Sequence, residues 1–84
     1  MRKFKFQAKW KEELIVTCER GYFILDLPMG ILSAYLPTEK AWKTKSPDWA
    51  KDYYIELKEE LERWCFKNNA QLVVDETAYV GWEK

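Results

Sequence analysis

The sequence predicts an α+β fold: an antiparallel β-meander of about four N-terminal strands, one long amphipathic helix (about 47–67) packed on the sheet, then one or two C-terminal strands. Three observations predict it. Residues 1–36 alternate or cluster β-branched and aromatic side chains between short turn signals. A helical period replaces that pattern after Pro47. Strand-like runs then return near the C-terminus, so strands and helix are segregated along the chain instead of alternating.

The strands follow in order. In "KFKFQAKW", Phe4, Phe6, Ala8 and Trp10 point one way and Lys3, Lys5, Gln7 and Lys9 the other, which is a half-buried strand. "ELIVTC" is rich in β-branched residues and follows after only Lys11 and Glu12, so the two strands form a hairpin. "ERG" supplies a second turn, with Gly21 free to adopt a left-handed backbone. "YFILDL" is the third strand, "LPMG" the next turn through Pro28 and Gly30, and "ILSAYL" the fourth strand. Successive tight turns imply a meander.

Pro37 ends the strand run. A polar connector with one large ring, Trp42, has room for a helical turn capped by Thr38. In "SPDWAKDYYIELKEELERWCFKNN", Ser46 suits an N-cap, Pro47 the first helical position and Asp48 the positive end of the dipole. Arg63 and Lys67 suit the other end, and Asn68–Asn69 can close the helix, whose length is ~30 Å. On a helical wheel starting at Trp49, the residues Tyr53, Trp64, Leu57, Leu61, Tyr54 and Cys65 fill an apolar arc of ~160° that a sheet can cover. "QLVV" is a fifth strand and "AYVGW" a sixth.

The chain has 84 residues, enough for a single domain over 1–84 that buries a little over ~60% of its unfolded surface. Apolar residues make up 48% and aromatics 17%, which excludes a disordered chain. Basic and acidic residues number 14 each, so no global field drives the protein to nucleic acid or membrane. The balance is uneven: residues 1–20 carry six cations against three acids. The expected location is the cytoplasm, because no apolar segment follows the basic N-terminus and none is long enough to span a bilayer. Cys18 and Cys65 are expected to be reduced there and to act as small core residues.

Much chemistry is excluded by composition. There is no histidine, which removes imidazole-dependent nucleophiles and the commonest metal ligand. Two cysteines 47 positions apart furnish no closed zinc site, and three isolated glycines make no phosphate loop. The helix acids, interleaved with Lys51, Lys58 and Arg63, form a solvated face. The expectation is therefore a non-enzyme with no metal and no cofactor, acting through contact with another protein or itself.

Two surfaces are candidates for that contact. Ile55 and Phe66 fall at ~240° and ~260° on the wheel, opposite the core arc and among Glu59 and Glu62. Either a second protein surface meets this face, or the C-terminal segment or the Trp42 connector folds across it. Lys3, Lys5 and Lys9 line one side of the first strand. They either guard a sheet edge against aggregation or, extended by Trp42 and the lysines of 40–45, hold nucleic acid. The edge reading is preferred, since the alternation buries the rings that stacking on bases requires.

Overall fold

The computed structural model describes residues 4–9, 12–28 and 32–82. Lys3, Trp10, Lys11 and the turn residues Met29 and Gly30 lie outside the described residues. The architecture is α+β. Strands β1 (Lys5–Lys9), β2 (Glu13–Cys18) and β3 (Gly21–Asp26) form the expected meander, and β6 (Val80–Gly81) completes a four-stranded antiparallel sheet of order β1-β2-β3-β6. The register is Gln7 against Ile15 and Ile15 against Ile24, and Leu25 meets Val80. Strand β1 is an edge strand, and alternation buries Leu14, Val16, Phe23 and Leu25 on the inner face.

The fourth strand exists but leaves the meander. Strand β4 (Ser33–Leu36) pairs in parallel with β5 (Gln71–Val74), Ala34 against Leu72, in a separate two-stranded sheet. The free side of β3 is taken by β6 instead. A parallel pair needs a long crossover, and the helical segment between the two strands supplies one. Side-chain alternation establishes that a strand has an inner face, but carries no signal about which strand lies beside it.

The crossover begins with helix α1 (Glu39–Lys45), capped by Thr38, whose side-chain oxygen accepts the Ala41 N–H at 3.3 Å. The long helix starts later than expected. Asp48–Tyr53 is a 3-10 helix, and helix α2 runs from Tyr54 to Lys67. Ser46 is not its N-cap: it ends α1, with its N–H donating to the Trp42 carbonyl at 2.9 Å. Pro47 precedes the first helical turn. The physical cause is Trp42, whose indole N–H donates to the Ala50 carbonyl at 3.0 Å. That carbonyl would serve the Tyr54 N–H in a continuous α-helix; in the 3-10 turn it takes the Tyr53 N–H, and its second lone pair takes the ring N–H.

Trp42 sits at the centre of the core, in edge-to-face contact with Phe23 at 5.2 Å and close to Tyr54. The Tyr54 hydroxyl donates to the Pro37 carbonyl at 2.6 Å. Leu57 and Leu61 are fully buried, whereas Trp64 is only half-buried because α2 overhangs the edge of the sheet. The segment before β6 is clasped to the end of α1. Lys45 Nζ donates to the carbonyls of Glu76 and Ala78, and the Trp82 indole donates to the Lys45 carbonyl. Among the described residues, no helix is long and apolar enough to cross a membrane.

Candidate functional site

Two adjoining surfaces meet on the C-terminal half of α2. The first follows from how β1 is held. A two-residue loop joins Cys18 to its register partner Gly21, so the Cys18 backbone bonds toward β3. Bonding direction alternates along a central strand, so Thr17, Ile15 and Glu13 turn toward β1. Their partners Lys5, Gln7 and Lys9 therefore carry the ladder, and Phe6 and Ala8 direct N–H and C=O away from it. The Phe4 N–H points the same way: it donates to Glu60 Oε1 on α2 at 3.0 Å. Among the described residues, no hydrogen bond reaches the outward groups of Phe6 and Ala8.

Glu60 is the anchor of this arrangement. Its residue is only 8% exposed, and its carboxylate ties the start of the edge strand to the helix. One turn earlier, Glu56 holds a buried Oε2 that has no hydrogen-bond partner among the described residues. Phe6 packs on Trp64 with ring centroids 6.2 Å apart. Between these elements opens a cleft of ≈ 690 Å³. Phe4, Phe6 and Trp64 give it an apolar lining, and Lys5, Arg63 and Lys67 give it cations, against Glu19 and the engaged Glu60.

The second surface is the outer face of α2. Ile55 is 62% exposed and Phe66 86% exposed, with Glu59 and Glu62 exposed between them. The described C-terminal segment does not cross this face, since residues 76–82 are bonded to Lys45 and β3. The Trp42 connector does not cross it either, as that ring is in the core. A shallow hollow lined by Glu59, Glu62, Phe66, Arg63 and Lys67 joins this face to the cleft, because both contain Arg63 and Lys67.

The expected basic patch is only partly assembled. Lys5 and Lys9 are exposed on β1, but only Lys5 borders the cleft. Trp42 has no exposed surface and must be withdrawn from the patch, because its indole is committed to Ala50. Lys45 is committed to two carbonyls. Lys3 lies outside the described residues. What the sequence reading missed is the cleft itself, with Glu60, Arg63, Trp64 and Lys67. One signal was present: on the helical wheel Glu60 falls at ~20°, an acid inside the apolar arc.

The titratable groups give the surface little reactive chemistry. Burial first, and Glu62 second, push the Cys65 thiol up to about 11, so it stays protonated near neutral pH. Its Sγ–H faces the Gln71 carbonyl at 3.8 Å. Cys18 is half-buried, its sulfur accepting the Arg20 N–H, and the two thiols are not bonded to each other. Among the described residues, no three Asp, Glu or Cys side chains converge as a metal ion requires. No protein-family model matches the chain, and no characterised protein or solved structure matches it significantly.

Proposed function

We propose that the protein is a non-catalytic contact domain that pairs with a second copy of itself through the outer face of α2. The supporting observation is the order of exposed side chains along that face: Ile55, Glu59, Arg63, Phe66. At 1.5 Å per residue these stand about 0, 6, 12 and 16.5 Å along the axis. Let a second helix run antiparallel about a two-fold axis level with Leu61. Glu59 of each copy then faces Arg63 of the other, and Ile55 falls within about 1.5 Å in height of Phe66. On the opposite flank, Glu62 comes within about 3 Å in height of Lys58 of the second copy.

The outer contacts on each flank then join opposite signs, the self-complementarity that a two-fold interface demands. Glu59 and Glu62 of the two copies come within about 1.5 Å in height near the axis, a like-charge contact that weakens the pairing. Among the described residues these charges form no ion pair with one another, and the one ion pair is Lys51–Asp48. A contact about 18 Å long and one helix wide buries less than the ~1,200 Å² of a standard interface, so the dimer is weak and concentration-dependent. The unpaired thiols support placing it in a reducing cytoplasm.

Sedimentation equilibrium over micromolar to millimolar concentrations tests the pairing. Glu59→Arg and Arg63→Glu should each weaken association, and the two together should restore it. Phe66→Glu should abolish it while leaving urea stability within about 0.5 kcal/mol, as for other exposed sites. A wild-type protein that stays monomeric at millimolar concentration refutes the proposal. So does a double exchange no tighter than either single one.

A further inference from the structure

The edge of β1 has the parts of a second binding site, which borders the outer face of α2 and shares Arg63 and Lys67 with it. We infer that it captures an extended acidic peptide, which adds as a fifth strand beside β1 and lays alternate side chains into the cleft against α2. Four observations lead there. The N–H and C=O groups of Phe6 and Ala8 point outward with no partner among the described residues, which is the backbone template that an added strand completes. The helix stands beside that edge and does not cover it: Phe4 is buried, Phe6 half-buried and Ala8 exposed along one face of the same strand. The cleft at this edge is lined by Phe6 and Trp64, so it takes an apolar side chain from the incoming strand. Cations flank the path on both sides, Lys5 and Lys9 on the outer face of β1 and Arg63 and Lys67 on α2, all but Lys9 lining the cleft.

The charge pattern also selects the occupant. A second copy of β1 paired antiparallel about Gln7 would set Lys5 opposite Lys9 of the other copy, twice, and like charges directly opposite one another destabilise a strand pair. A strand carrying carboxylates at alternate positions meets Lys5 and Lys9 with the opposite sign. Its remaining side chains face the cleft. Glu60 holds the start of β1 against α2 through the Phe4 N–H, so the groove is formed before the peptide arrives.

The test uses an eight-residue peptide of alternating glutamate and valine, blocked at both ends, titrated into the full chain. Backbone amide hydrogen exchange is read by nuclear magnetic resonance. The expected result is slowed exchange at Phe6 and Ala8, at least about tenfold at saturation, with Lys5, Gln7 and Lys9 already protected by β2. Lysine in place of glutamate in the peptide should remove the effect. Lys5→Glu with Lys9→Glu should weaken binding at least about tenfold, and circular dichroism checks that this exposed pair leaves the fold intact. Three outcomes overturn the inference: no slowing at Phe6 and Ala8 at millimolar peptide, equal binding of the lysine peptide, or protection that grows with protein concentration alone. The last would assign the edge to a second copy. Phe66→Glu leaves this site untouched, so loss of the α2 pairing and loss of peptide capture are separable.

Discussion

Replacing Trp42 by phenylalanine keeps a ring in the core but deletes the indole N–H that reaches the Ala50 carbonyl at 3.0 Å. Both residues are fully buried, so water cannot replace the lost donor. The carbonyl keeps its 3-10 partner, so the lost bond costs about 0.5–1.5 kcal/mol. The smaller ring also leaves a void beside Phe23, which adds about 1 kcal/mol at ~24 cal/mol per Å³. The expected loss is therefore about 1.5–2.5 kcal/mol, against a total of roughly 4–13 kcal/mol for a domain of this size. Equilibrium urea unfolding followed by far-ultraviolet circular dichroism measures it. With a slope near ~1 kcal/mol per M, the midpoint should fall by about 1.5 M or more. A fall below about 0.5 M would show that the indole is not the pin between α1 and the 3-10 helix.

Two further outcomes follow from titration. With its thiol raised from 9.0 to about 11, Cys65 should carry about one thiolate per thousand at pH 8, so a disulfide reagent should modify Cys18 first in the native protein. Equal labelling of both, mapped by peptide mass, contradicts the buried placement. The same shift favours the folded state while the thiol is protonated. Its contribution is complete below about pH 9 and should be lost as pH rises through about 11. Asp26 has the same sign at lower pH, because burial, then Glu12 and Glu13, raise its carboxyl above the ordinary value. Its ionised form is disfavoured by folding, so Asp26→Asn should raise the melting temperature at pH 7. The gain should fade as pH falls through the raised value toward 3.8 and be gone below it, where the carboxyl is neutral in both states. A destabilised variant at pH 7 would refute that account.

The sequence by itself determined the elements that depend on local pattern. Runs of β-branched residues located β2 at Glu13–Cys18 and β5 at Gln71–Val74, each with the bounds the structure shows. The helical period put Leu57 and Leu61 inside and Ile55 and Phe66 outside, because a helix that buries one arc must expose the other. Composition also bounded the chemistry, since an absent imidazole needs no fold to be absent. The pairing of β4 with β5 came from the tertiary structure alone, because a strand partner after a long crossover leaves no trace in local pattern. So did the late start of α2, where a ring eight residues upstream of Ala50 bonds its carbonyl. The cleft was equally hidden. Phe4 and Glu60 are 56 residues apart, and only folding brings the N–H of one onto the carboxylate of the other. Which residues face inward is a property of each segment, whereas what they meet there is a property of the whole chain.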